Sequence, residues 1–329
     1  MTMARLLVTG GSGFIGTNLI EYYIQHKRFE AVLNVDLQQP VKEQNGFWRA
    51  CDILDFPKLD QILTEYRPTH IVHLAARTDM FGKTLHDYRA NHQGTQHLIE
   101  VIRNIPQVER VIFTSTQYVC RPGYQPHSDE DYAPHTLYGQ SKVEMERVIR
   151  AADLKCTTTI IRPTNIWGPH HPRYPFEFWK VLSRGYYFHP MGRQPLRCYG
   201  YVENVVWQIE KILQAPPEQV DRKTFYVGDH PISLDQWVDG FAEALTGRKA
   251  RRVPRLVLRF LALVGDGIAL TGRRFPITSS RFRSMTEDYV VDMRPIFDLF
   301  GEPPISLQEG IRRTARWLYQ NGFVSRIYV

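Results

Sequence analysis

Tyr138 and Lys142 stand four residues apart in the stretch HTLYGQSKVEME, residues 135–146. On a helix, residues i and i+4 are neighbours on one face, so this spacing sets a phenol beside an ammonium. A free tyrosine ionises near pH ~10, and a nearby cation favours its phenolate. Such a pair can trade protons near neutrality. The same spacing also arises by chance in long chains, so its meaning rests on the elements that hold it.

Those elements begin at the N-terminus. ARLLVTGGSGFIGTNLIEYYI runs a short apolar segment, Leu6 to Val8, into a glycine cluster and then into helical spacing at Phe14, Ile15, Leu19, Ile20 and Tyr23. Gly11, Gly13 and Gly16 satisfy GxGxxG, a pattern that gives a tight turn, close approach of backbone to a pyrophosphate and tight helix packing. AVLNVD reads as a second strand ending at Asp36, 20 residues after Gly16. A dinucleotide fold places there the carboxylate that binds the adenosine ribose hydroxyls. The unit then repeats in outline. A helix at Pro57 to Tyr66 precedes HIVHLAA, a helix through Leu98 to Arg103 precedes RVIFTST, and the Tyr138 helix precedes TTTIIRPTN. Alternation of this kind predicts an α/β fold with a parallel sheet covered on both faces. The residues of interest follow the strands: Gly10 to Gly16, Asp36, Ala75 and Ala76, then Thr116.

The 329 residues are 43% hydrophobic and 23% charged, which places the chain in the globular class and against disorder. The opening MTMARLLVTGG has too short an apolar run for a signal peptide, and no stretch reaches the roughly 18 uninterrupted apolar residues of a membrane span. A cytoplasmic protein is expected. Cys51, Cys120, Cys156 and Cys198 are scattered without CxxC or His/Cys clustering, so reduced packing cysteines are expected and no metal site. The net charge of +7 is local: Arg248 to Arg294 carries 11 Lys/Arg against 4 Asp/Glu. Within it, RRVPRLVLRFLALVGDGIAL places Arg251, Arg255 and Arg259 at i, i+4 and i+8 of a helix, with Val257, Phe260, Leu261 and Val264 on another side. The preferred reading packs that apolar side onto the protein; the second lays residues 251–264 on anionic membrane. No nucleic-acid module accompanies the charge, so nucleic acid is not expected as a partner.

With these residues in place, the chain resembles the extended short-chain dehydrogenase/reductases, specifically the NAD-dependent nucleotide-sugar epimerase/dehydratase group. The matching segments are TGGSGFIG (9–16), Asp36, CDILD (51–55), HLAA (73–76), Asn91 in ANHQGT, TSTQYV (114–119), YGQSK (138–142) and RPTNIWGP (162–169). The resemblance implies a Rossmann-type doubly wound sheet in residues 1–168, with return segments at about 197–230, and a smaller C-terminal substrate-binding domain in 169–329. It implies Tyr138 as acid/base, Lys142 on the nicotinamide ribose lowering the tyrosine pKa, and Thr116 on the reacting sugar hydroxyl, with Ser115 next in register. The implied NAD contacts are Gly10, Gly13, Phe14, Ile15, Gly16, Asp36, Asp52 by the adenine, Ile53, Leu74, Ala75, Ala76, Asn91, Ser115, Tyr138, Lys142 and Pro163. NAD is preferred over NADP, because Asp36 repels a 2′-phosphate and no arginine follows in DLQQP.

For the substrate, a nucleotide-diphosphate sugar, the resemblance points to Arg197 and Asn165 at the diphosphate and Asp292 near the nucleoside ribose. The arginine that some sugar-nucleotide epimerases carry three residues before that acidic position is replaced by Tyr289. Phe176, Phe178 and Trp179 are expected on one helix. Family dehydratases place an acid and a base after the threonine, and family decarboxylases a glutamate; this chain has Gln117 and Tyr118. The expectation is therefore a 4-epimerase acting through a transient 4-keto sugar, as a homodimer. A ketoreductase or dehydrogenase is the alternative, and a dinucleotide sensor without chemistry the less favoured one.

Overall fold

The computed structural model describes residues 4–41, 47–270 and 275–329. Contacts divide the chain into two compact units. The first comprises Met1–Ile166, Val202–Gly228 and Asp292–Pro303; the second comprises Trp167–Tyr201, Asp229–Val291 and Pro304–Val329.

The first unit alternates strands and helices: β1 (Arg5–Thr9), α1 (Phe14–His26), β2 (Ala31–Asp36), β3 (Trp48–Ala50), α2 (Phe56–Tyr66), β4 (His70–His73), α3 (Arg89–Arg103), β5 (Arg110–Thr114), α4 (Leu137–Ala151) and β6 (Thr157–Pro163). A last strand, Thr224–Val227, completes a seven-stranded sheet in the order Thr224–Val227, β6, β5, β4, β1, β2, β3. Every pairing is parallel. Order reverses between β1 and β4, the switch point of a doubly wound sheet, where ligands sit beyond the carboxyl ends of the strands. The strands are continuous apolar runs because both faces are covered: Leu6, Leu7, Val8, Ile71, Val72, Val111, Ile112 and Phe113 are fully buried. β3 escaped the sequence reading because it is three residues long, lies at the sheet edge and has no buried residue to mark it.

Helix starts follow local chemistry. Asp55 caps α2 by accepting the Lys58 N–H, and Pro57 occupies the first turn, where a missing N–H costs nothing. Thr136 caps α4 by accepting the Gly139 N–H at 2.9 Å. The buried residues of α4 are Tyr138, Gly139, Ser141, Lys142, Val143, Met145, Glu146 and Ile149. Core-facing helices bury such a side, but Ser141, Lys142 and Glu146 among these eight are polar.

The second unit is built on aromatics. Helices Tyr174–Ser183, Leu234–Thr246 and Leu307–Gln320 enclose Trp167, Trp179, Trp237, Phe241, Tyr199 and Tyr201. Trp179 is fully buried, Phe178 is half-buried and stacks on Trp237 with ring centroids 4.7 Å apart, and Phe176 is exposed. The three aromatics expected on one helix thus share that helix but not its buried face.

The basic segment departs from expectation. Arg251 is not helical: Arg251–Val253 is a strand paired in parallel with Phe188–Pro190, and the helix begins at Arg255 after Pro254. Proline has no N–H to donate and disfavours helical geometry in the residue before it, so the i, i+4, i+8 series breaks there. The side that packs is Leu258, Ala262 and Gly265, whereas Val257, Phe260 and Val264 are exposed and Leu261 is half-buried. Arg273 and Arg274 lie outside the described residues.

Candidate active site

The turn after β1 is shaped by what it cannot accommodate. Gly10 has φ +72°, and a Cβ there would stand 2.5 Å from the Ala75 nitrogen. At Gly16 a Cβ would stand 2.4 Å from the Gly10 carbonyl oxygen, while at Gly13 the nearest atom is 3.2 Å away. The turn therefore closes tightly on β4 and on itself, and Gly13 is left exposed at the start of α1. Gly13, the N-cap of α1, has no side chain to cap it and no acid occupies the first turn, so the positive end of the helix dipole there suits a phosphate. Phe14 and Ile15, half-buried, form that first turn.

Asp36 ends β2 and accepts the Ser12 N–H at 3.0 Å and the Gln38 N–H at 2.9 Å, which ties the carboxylate to the glycine turn. Asp52 accepts the Leu54 N–H at 2.9 Å; the next residue, Ile53, is buried where Gly94 of α3 leaves room for it. Leu74, Ala75 and Ala76 follow β4, half-exposed. Beneath them His73 bridges Thr9 (2.7 Å) and Thr95 (2.9 Å). Burial, with the Lys142 cation, drives its pKa down to about 3, so the ring is a neutral strut. Sequence reasoning passed over it inside HLAA, where nothing marks a histidine as a strut until its two threonines are brought to it.

The catalytic candidates gather at the end of β5 and the start of α4. Lys142 Nζ donates to the Thr114 carbonyl at 2.7 Å, and Thr114 is the last residue of β5. Two residues on, Thr116 caps a short turn over Gln117–Val119, its Oγ1 accepting the Tyr118 N–H at 3.3 Å. That turn is seated on α4 through Gly139, where a Cβ would stand 2.3 Å from the Tyr118 carbonyl oxygen. Tyr138 is buried, with the Tyr118 ring 6.1 Å away edge-on and the Tyr88 ring at 6.3 Å. Asn91 joins α3 to α4: its Nδ2 donates to Ser141 Oγ at 2.8 Å, and Ser141 donates to the Tyr138 carbonyl at 2.7 Å. Ser115 and Pro163 are buried at the ends of β5 and β6.

Burial brings the Lys142 pKa down to about 7, against the opposing pull of Glu146. Glu146 lies one turn further along α4. Burial disfavours its ionisation, but Arg162 outweighs burial and holds its carboxyl below the usual carboxylate range. The pair is bidentate, Nε to Oε1 at 2.9 Å and Nη2 to Oε2 at 2.7 Å, with the Tyr132 hydroxyl donating at 3.0 Å. This network was not anticipated, because two residues 16 apart on different elements leave no spacing signal.

The substrate candidates are distributed over both units. Arg197, in the second, is buried and donates through Nη2 to the Ser284 carbonyl at 2.5 Å and the Glu287 carbonyl at 3.1 Å. Tyr289 is held against the same strand by backbone pairing with Leu196 and Cys198. Asn165 and Asp292 belong to the first unit. Asn165 is half-buried, and Asp292 is exposed and paired with Arg294 at 2.7 and 2.9 Å, which holds its carboxyl low.

A tight glycine turn that leaves Gly13 exposed, a helix start without a side-chain cap and a tethered carboxylate at the end of β2 together fit a dinucleotide with an unphosphorylated ribose. Residues 6–228 match the NAD-dependent epimerase/dehydratase family, and the chain belongs to that family. NAD is its cofactor. The chain is 25% identical to the N-acetyl-α-D-glucosaminyl-diphospho-ditrans,octacis-undecaprenol 4-epimerase of Escherichia coli O157:H7 over 330 residues, covering 95% of each. It is 24% identical to the dTDP-glucose 4,6-dehydratase of Neisseria meningitidis serogroup B, covering 97% of this chain and 94% of that one. The crystal structure of the UDP-glucose 4-epimerase of Thermotoga maritima with UDP-glucose is similar at a TM-score of 0.73 and 21% identity, covering 96% of this chain and 99% of that one.

Proposed function

We propose that the protein is an NAD-dependent 4-epimerase of a diphosphate-linked sugar. The observation that carries this reading is that, among the described residues, neither the two positions after Thr116 nor the inner face of α4 offers an unpaired carboxylate to the Tyr138–Lys142 set. The residues after Thr116 are Gln117 and Tyr118, and the acid on the same face of α4, Glu146, is fully buried and clamped by Arg162. Eliminating water from a sugar needs an acid and a base besides the hydride-transfer set, and an amide or an ordinary phenol does not supply them. Inversion at one carbon by removal and return of hydride needs neither.

NAD supplies the hydride acceptor and donor. Tyr138 holds the proton exchanged with the sugar oxygen, and Thr116 orients that oxygen by hydrogen bonding. Lys142, anchored to the end of β5 and titrating near pH 7, favours the phenolate when protonated. Asp36 accepts hydrogen bonds from the adenosine ribose and Arg197 meets the substrate diphosphate.

The substrate carrier is a nucleotide in the first instance. The E. coli relative, matched along almost its whole length, acts by its name on a polyprenol-linked diphosphate sugar. The same chemistry on a lipid-linked sugar is the second reading.

The test is turnover of purified protein without added dinucleotide, on both kinds of substrate, followed by NMR. Interconversion of two C4 epimers with no net change at the NADH absorbance band is expected. A dehydrated product, or a requirement for stoichiometric dinucleotide, overturns the epimerase reading.

A further inference from the structure

The helix Arg255–Ala269 of the second unit is apolar on the wrong side for a surface helix. Its inner face is accounted for. Leu258, Ala262 and Gly265 are buried, Gly265 lies so close to the Ile277 carbonyl that a side chain has no room, and Asp266 accepts the Ser279 N–H at 3.0 Å. The opposite face carries Leu256 at 79% exposure, Phe260 at 66% and Leu263 at 60%, with Val257 and Val264 beside them. At 3.6 residues per turn these five form one continuous arc about half a circumference from Leu258 and Ala262. Single exposed apolar residues are ordinary, but a contiguous strip of five marks an interaction surface.

The charge around the strip identifies the partner. Arg255 and Arg259 stand exposed along one edge of the arc. Arg251 lies exposed in the strand that precedes the helix, and Arg281 and Arg283 lie exposed on Ser279–Ser284, the helix packed against it. Arg251, Arg255, Arg259 and Arg281 have no carboxylate within ion-pair distance among the described residues. Apolar side chains flanked by unpaired guanidiniums complement a surface that offers hydrocarbon below and anions above. A second copy of this chain would oppose the same cationic rim with its own. No helix among the described residues is long and apolar enough to cross a membrane, so the helix can lie on a bilayer but not through it.

We infer that the outer face of Arg255–Ala269 seats the protein at the headgroup boundary of a bilayer containing anionic lipid. Leu256, Phe260 and Leu263 enter the acyl boundary, while Arg255 and Arg259 reach back to the headgroups along their own stems. This inference goes beyond the epimerase reading and does not depend on the sugar acted upon.

The experiment is flotation of the full chain with phosphatidylcholine vesicles, with and without phosphatidylglycerol. Co-flotation at least about tenfold greater with the anionic vesicles, and weakened by salt, is expected. Leu256→Gln/Phe260→Gln/Leu263→Gln and, separately, Arg255→Glu/Arg259→Glu should each reduce it about tenfold or more, with circular dichroism unchanged because all five side chains are exposed. Absence of co-flotation, or co-flotation indifferent to phosphatidylglycerol and to both variants, overturns the inference. So does a self-association in vesicle-free buffer that the triple variant abolishes, which would assign the face to a second copy.

Discussion

The interior around α4 in the first unit and the aromatic cluster around Trp237 in the second are filled by different means. Around α4 the first unit buries a lysine, a glutamate and an arginine, each held by directional bonds: Lys142 to the Thr114 carbonyl, Glu146 to Arg162 and Tyr132. Trp179, Trp237 and Phe241 fill the second unit by shape, with ring centroids about 5 Å apart, and the indole N–H groups of Trp179 and Trp237 have no partner among the described residues. Directional bonds fix where an atom sits to a fraction of an ångström, as proton transfer requires. Close-packed rings fix a volume and tolerate neighbours of another shape. The difference separates an interior fixed by named atoms from one fixed by ring volume.

The sharpest way to break that division is Tyr138→Phe. If the chemistry resides in the first unit, turnover falls by about 10²- to 10⁴-fold, while NAD binding measured by calorimetry stays near wild type. Near-normal turnover would move the proton carrier elsewhere. Next in size is Glu146→Gln, which leaves the fully buried Arg162 charge without its partner. A loss of about 3–5 kcal/mol in urea unfolding is expected, with most of it recovered when Arg162→Met is added. If the double variant is no better than the single one, the pair does not act as a unit.

Trp237→Phe tests the other side. The indole N–H has no partner to lose, so only ring volume is removed. A cost of about 1–3 kcal/mol is expected, with no recovery by changing pH or salt. A larger cost would show that the aromatic interior relies on a polar contact after all.

Within the range reached near neutrality, the smallest effect is in pH. His73 in the folded chain has a pKa of about 3 against ~6.5 when unfolded. The unfolded state therefore binds more protons below pH ~6.5, and stability falls as pH drops through that range, by about 1.4 kcal/mol at pH ~5.5. Lys142, depressed to about 7 from ~10.4, has the same sign in a higher window, so stability rises as pH climbs between those values. Cofactor-free protein unfolded in urea across pH should show both slopes. His73→Asn should make the acid slope shallower without removing it, because burial also pushes His171 down to about 3 and His70 to about 4, and Lys142→Met should flatten the alkaline one.

Much of the first unit was readable because its strands are uninterrupted apolar runs and its turn chemistry is glycine, both of which survive in one dimension. Tyr138 and Lys142 were visible for the same reason, since one helical turn is a fixed spacing. Glu146 and Arg162 were not, because their meeting depends on α4 lying over β6. The basic segment misled through spacing itself: four residues separate Arg251 from Arg255, but Pro254 stands between them and only one is helical. The apolar side of that helix was equally visible, yet hydrophobicity alone does not reveal which face meets protein until Gly265 is found against Ile277.

The first unit is assembled from three separated stretches of chain, ending at Ile166, Gly228 and Pro303. A ribosome delivers residues in order, at about 5–20 per second, so the sheet cannot finish when its sixth strand emerges. The flank of β6 waits for Thr224–Val227, and the segment Asp292–Pro303 arrives later still. For several seconds β6 is an open edge able to pair with any passing strand. Nascent chains stalled with β6 but not Thr224–Val227 clear of the ribosome should therefore be far more prone to aggregation and to chaperone capture than released full-length chains. Neither unit is complete until the chain is nearly finished: the first waits for Asp292–Pro303 and the second for Pro304–Val329.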